Sequence, residues 1–181
     1  LCNSKLETDR QDNIFFFGWC AETDGDIRIS AWSSRWDGVV AKLSSEGVWQ
    51  WQSVQRGGDY AYGRVQALKV QADGTIVVAG YAGAGTTLGS VSFSQQNQYI
   101  AKLTAQGAWD WVKLPTNGGS GGGGFSGITT KADGSIVVAG YYYGWSAPSF
   151  GSFAIAQTNQ DRDIAVVELK QNGDWVSATR I

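Results

Sequence analysis

The sequence contains no histidine and no methionine, and only two prolines and two cysteines among its 181 residues. Each shortage excludes something. Without histidine, the commonest general base and the commonest metal ligand are missing, and a Ser-His-Asp arrangement cannot be built. Zinc sites lose both of their usual ligand types if the cysteines pair with each other. No apolar run approaches the roughly 18 residues that a membrane-spanning helix needs. No basic stripe stands out, and the net charge is −2 with a pI near 5.0, so nucleic acid is not the expected partner. Methionine is missing even at position 1, as expected of a processed mature form or an excised fragment. No signal peptide is visible, although a cleaved one would leave no trace.

What is present is repetition. Asp73-Gly-Thr-Ile-Val-Val-Ala-Gly-Tyr81 returns 60 residues later as Asp133-Gly-Ser-Ile-Val-Val-Ala-Gly-Tyr141, and a worn copy, Asp12-Asn-Ile-Phe-Phe-Phe-Gly-Trp19, stands near the start. A second phrase keeps step: Val40-Ala-Lys-Leu43, Ile100-Ala-Lys-Leu103 and Val166-Val-Glu-Leu169. A third follows each of these: Gly47-Val-Trp49-Gln-Trp51, Gly107-Ala-Trp109-Asp-Trp111 and Gly173-Asp-Trp175-Val-Ser177. Repeats this long mean one supersecondary unit copied and stacked. Hydrophobic residues make up 43% and aromatics 13%, enough for one domain with a real core, and 25 glycines suit many tight turns between short strands.

The second copy reads as four strands. Arg64 to Gln71 alternates imperfectly, with an irregularity expected near Ala67. Ala72-Asp-Gly74 is a turn, and Thr75 to Tyr81 is an apolar, β-branched run suited to a strand buried on both faces. Leu88 to Phe93 extends that strand or forms an edge. Gln98 to Leu103 is the third strand, Thr104 to Gly107 a turn, and Ala108 to Leu114 the fourth strand. A period of two would put Trp109 and Trp111 on one side. The expected units are about 1–56, 57–116 and 117–181 within one repeat domain. The glycine run Asn117 to Gly124 reads as a loop between units rather than a linker, because Phe125 aligns with Val65 across it.

Copied four-stranded antiparallel units of about 60 residues are the signature of propeller-type blades. The run Val39 to Trp51, then Gly57-Gly-Asp-Tyr-Ala-Tyr-Gly63, then Asp73 to Tyr81, resembles the bacterial seven-bladed β-propeller (SBBP) repeat family and the similar delta-60 repeat. The resemblance implies a large secreted or surface protein and implies no particular activity. The chain departs from the pattern in its third unit, which has poly-Gly in place of the Gly-Asp-Tyr-Ala-Tyr-Gly stretch and Ser177 in place of a second tryptophan. Three blades do not close a ring. The expected partners are therefore a second copy, giving a dimer or a head-to-tail assembly, or the remaining blades of a larger protein. A β-trefoil-like threefold repeat is the alternative fold.

If Asp9 to Asn13 turns between two antiparallel strands, paired residue numbers sum to about 22, which sets Cys2 opposite Cys20. A disulfide there fits the distance and implies an extracellular or cell-surface location; two buried thiols are the alternative. The ligand-binding candidates are the aromatics that do not repeat: Trp32 and Trp36 beside Asp37, Tyr60 and Tyr62 in a glycine loop, and Tyr142, Tyr143 and Trp145 running on from a strand. Amphipathic rings on loops suit glycan or protein recognition. The repeating Trp49, Trp51, Trp109, Trp111 and Trp175 are read as packing between units, and Asp37, Asn97 and Asp163 as side chains that bond loop backbone where a strand begins.

No catalytic site and no cofactor are expected. Asp24-Gly-Asp26 and Asp161-Arg-Asp163 are weak Ca²⁺ candidates that lack the spacing of a known loop. Ser44-Ser-Glu-Gly-Val-Trp49 lacks the Asp of the sialidase aspartate-box turn, and Gly121 to Gly124 lacks the Lys-Ser/Thr of a phosphate loop. The expected function is a non-catalytic extracellular recognition or assembly module, with carbohydrate the expected ligand of the loop aromatics. The alternatives are a structural subunit of a larger propeller, adhesin or filament, and a glycan-active hydrolase using converging carboxylates.

Overall fold

A computed structural model describes residues 2–20, 37–55, 63–116, 123–143, 148–156 and 162–181. The fold is all-β, built of small antiparallel sheets. The first sheet comprises β1 (Cys2–Thr8), β2 (Ile14–Cys20), β3 (Asp37–Leu43) and β4 (Trp49–Gln55). The second comprises β5 (Gly63–Val70), β6 (Ile76–Ala82), β9 (Asn97–Leu103) and β10 (Trp109–Lys113). The third comprises β11 (Gly123–Thr130), β12 (Ile136–Tyr143), β15 (Arg162–Leu169) and β16 (Trp175–Arg180). In all three the strands lie side by side in chain order.

Between the second and third strands of the last two sheets sits a separate two-stranded hairpin: β7 (Thr87–Leu88) with β8 (Val91–Ser92), and β13 (Ser149–Phe150) with β14 (Phe153–Ala154). The segment Leu88 to Phe93 therefore neither extends β6 nor forms an edge of the second sheet. Gly89, at a φ of 56°, turns the chain back on itself there.

The registers reproduce the repeat. Ile14, Ile76 and Ile136 pair with Leu43, Leu103 and Leu169. Phe125 pairs with Gly140 as Val65 pairs with Gly80, so the alignment across the glycine run holds. Cys2 pairs with Cys20 and Asn3 with Trp19, the sum of 22 that a turn at Asp9–Asn13 requires. The irregularity near Ala67 is a β-bulge between Val65 and Ala67, matched by one between Phe125 and Gly127. Just across from each bulge the backbone approaches so closely that only glycine fits. A Cβ on Gly80 would lie 2.0 Å from Arg64 O, and one on Gly140 would lie 2.3 Å from Gly124 O.

The sheets stack face to face. Phe15, Phe17 and Val40 of the first pack against Val65, Leu68, Ile76 and Val78 of the second. On the opposite face of the second sheet, Val77, Ala79 and Ile100 pack against Phe125, Ile136, Val138 and Val167 of the third. Strand β6 is thus buried on both faces, as its unbroken apolar run requires, with only Tyr81 partly exposed. The first strand of each following unit supplies much of the cover: β5 lies against β2 and β3, and β11 against β5 and β6. Burying such Val and Ile side chains is worth about 1.5–3 kcal/mol each, an upper estimate since the unfolded chain already buries some of them.

Trp109 and Trp111 face opposite ways. A bulge separates Trp109 from Trp111 in the pairing with β9, and the same shift occurs between Trp49 and Trp51 and between Trp175 and Ser177. One extra residue reverses the alternation, so the expectation that Trp109 and Trp111 share a side is corrected. Trp109 packs into the core between the first two sheets, and Trp111 into the core between the second and third.

Candidate functional site

The feature that recurs is the joint between successive units. At the first joint the indole of Trp51 donates to Ala105 O at 3.0 Å; at the second, Trp111 donates to Gln171 O at 3.1 Å. Both acceptors occupy the same place in the turn that joins a unit's third and fourth strands. The ring lies over the glycine of that turn. A Cβ on Gly107 would come within 2.5 Å of Trp51, and one on Gly173 within 3.0 Å of Trp111. The Ser53 hydroxyl reinforces the first joint by donating to Gly107 O. At the second joint Lys113 lies over Gly173 and Lys102 donates to Gln171 Oε1 at 3.2 Å.

A buried polar link lies deeper in the first joint. Gln55 is fully buried; its Nε2 donates to Tyr81 O at 2.9 Å, and its Oε1 accepts from the Tyr99 hydroxyl at 2.8 Å. Gly38 and Gly63 make room for it, since a Cβ on either would stand 2.7 Å from the carboxamide. Burial pushes the Tyr99 hydroxyl well above its ordinary pKa, so it stays a neutral donor. At the second joint Gln98 plays part of this role, donating to Tyr141 O at 3.4 Å. Nothing in the composition or repeat pattern singles out Gln55. Its only signal is a glutamine at the end of an otherwise amphipathic strand.

The turns between first and second strands converge at one end of the stack, around a cleft of about 540 Å³. Asp9, Arg10, Lys69, Gln71 and Lys131 line it. Its charges are largely matched: Lys69 pairs with Glu7 at 2.6 Å, Lys131 with Glu168 at 2.7 Å, and Lys42 approaches Asp9 at 3.7 Å. Gln71 Nε2 and Thr130 Oγ1 are buried there without a hydrogen-bond partner. Asp9 is held below the usual carboxylate range: burial opposes this, but hydrogen bonds from Asn13 and Gln11 outweigh it. Asp73 is lowered chiefly by the Thr75 hydroxyl, and Asp133 by the Ser135 backbone N–H. Among the described residues no group of His, Cys, Asp and Glu gathers as metal ligands.

The residues singled out in the sequence fare unevenly. Trp32, Trp36, Tyr60, Tyr62 and Trp145 lie outside the described residues, as do Asp24 to Asp26. Asp37 opens β3 opposite Cys20. Tyr142 is only 5% exposed and its hydroxyl donates to Ala156 O at 3.3 Å, which makes it a core residue rather than a displayed ring. Tyr143 ends β12, paired with Arg162. Asn97 does bond loop backbone where its strand begins, donating to Pro115 O at 3.0 Å, and Asp163 accepts from Arg180 Nε at 3.2 Å. Among the described residues no helix is long and apolar enough to cross a membrane. No protein-family model matches the chain, and no curated protein is similar to it.

Proposed function

We propose that this chain is a non-catalytic extracellular assembly module made of three propeller-type blades, of the kind its SBBP-like repeats suggest, and that it works by docking against further blades. One observation carries the reading. Val77, Ala79 and Ile100 of the second sheet are wholly buried beneath the third. The same repeat positions in the third sheet are Val137, Ala139 and Val166, and these are only partly buried, with Ile164 beside them 49% exposed. Alternation sets these four on the face opposite Ile136, Val138, Ala165 and Val167, which pack inward. An apolar face that is covered in one copy of a unit and open in the next is a docking surface for the first strand of a following unit. The extracellular location is supported by the Cys2–Cys20 register, which allows a disulfide.

The test is native mass by light scattering across a concentration series. The chain should form species heavier than its 19.4 kDa. Val166→Lys should hold it at monomer mass while leaving the fold intact. Self-association that survives Val166→Lys unchanged would contradict the reading.

A further inference from the structure

The third and fourth strands of each unit are joined by a turn of one design. Ser44 N bonds Val48 O at 2.8 Å and Gly47 N bonds Ser44 O at 2.9 Å; in the second unit Thr104 N to Ala108 O and Gly107 N to Thr104 O measure 2.8 and 2.9 Å; in the third, Lys170 N to Asp174 O and Gly173 N to Lys170 O measure 2.8 and 2.9 Å. The glycines share a left-handed backbone, with φ of 80°, 83° and 84°. Two of these turns hold an indole from the preceding unit, and there Gly107 and Gly173 are buried. The first turn has the same backbone but a different environment. Ser45 to Val48 are exposed, and among the described residues nothing lies within 4 Å of a Cβ built on Gly47.

We propose that the Ser44–Gly47 turn is a preformed socket for a tryptophan carried on the fourth strand of another unit of this repeat. The carbonyl of Ser45 is its acceptor, in the place of Ala105 O and Gln171 O. The chain's own third unit is not that partner. At the position of Trp51 and Trp111 it carries Ser177, which has neither the ring to lie on the glycine nor the reach to donate to the carbonyl. The inference rests on the assembly reading and gives it a direction: the first unit accepts a tryptophan-bearing strand, and the last unit does not offer one. Because the turn already has its docked geometry, docking carries little ordering cost. The indole contributes both ring burial and a hydrogen bond.

The experiment restores the missing donor. Ser177→Trp should tighten self-association about tenfold or more relative to the unmodified chain, measured by sedimentation equilibrium. Gly47→Asn keeps a residue that tolerates positive φ but fills the space of the ring, and should cancel that gain. By itself Gly47→Asn should leave the unmodified chain's association unchanged. The Ser177→Trp/Gly47→Asn double variant, mixed with the unmodified chain, should form a one-to-one complex tighter than either makes alone. This mixture decides the socket even if the unmodified chain stays monomeric, a result that would count against the assembly reading itself. The proposal is overturned if Ser177→Trp brings no tightening in either format. It is equally overturned if Gly47→Asn weakens the unmodified chain's own association, which would mean that the turn is already filled by the Ser177 unit.

Discussion

At the scale of single residues, the first joint depends on a buried side chain that bonds two groups of the next unit. The Tyr99 hydroxyl is fully buried and Gln55 Oε1 accepts its hydrogen bond. Truncating Gln55→Ala removes the acceptor of the buried Tyr99 hydroxyl and the donor to Tyr81 O. The expected loss is about 2–3 kcal/mol, read from the urea midpoint, whereas Tyr99→Phe alone should cost nearer 1 kcal/mol because Gln55 keeps its bond to Tyr81. The two together should cost less than their sum, since they break one shared bond. None of this was legible in the sequence. A repeat alignment highlights what recurs, and Gln55 occurs once: its counterpart 60 residues on is Pro115. Tyr142 shows the converse. It reads as a loop aromatic because three tyrosines stand together, but the second of them alternates inward with Ile136 and Val138.

At the scale of elements, strand order, strand bounds and turns follow closely from apolar runs punctuated by Asp-Gly and Gly. The faces that side chains take do not follow, because a bulge adds one residue without changing composition. The extra residue between Trp109 and Trp111 sends the first ring into one core and the second into the next, so a single strand holds two joints at once. Trp111→Phe isolates the hydrogen bond from the packing. Most of the ring area stays, and the donation to Gln171 O is lost. The expected cost is about 1–2 kcal/mol in thermal or urea unfolding. Trp51→Phe should behave alike at the first joint, where Ala105 O is the acceptor. A much smaller effect at both positions would mean that the indole nitrogens contribute only orientation.

At the scale of the whole molecule, three sheets in series make two joints and leave two ends that differ. The repeat copies were legible from the first reading of the sequence, and so was the missing tryptophan at Ser177. What that absence faces was not, because it depends on which turn each tryptophan reaches, and those turns lie 54 and 60 residues further along the chain. The central claim is that the outer face of the third sheet is equivalent to the covered face of the second, but uncovered. Ile100 and Val166 occupy one repeat position on these two faces. The most direct test is to place a lysine at each and compare unfolding free energies in dilute solution. Ile100→Lys should cost about 3–5 kcal/mol or prevent folding, since it buries an unpaired charge. Val166→Lys should stay within about 1 kcal/mol of the unmodified chain. Comparable losses at both positions would contradict the account, because they would mean that the third sheet's outer face is already sealed within this chain.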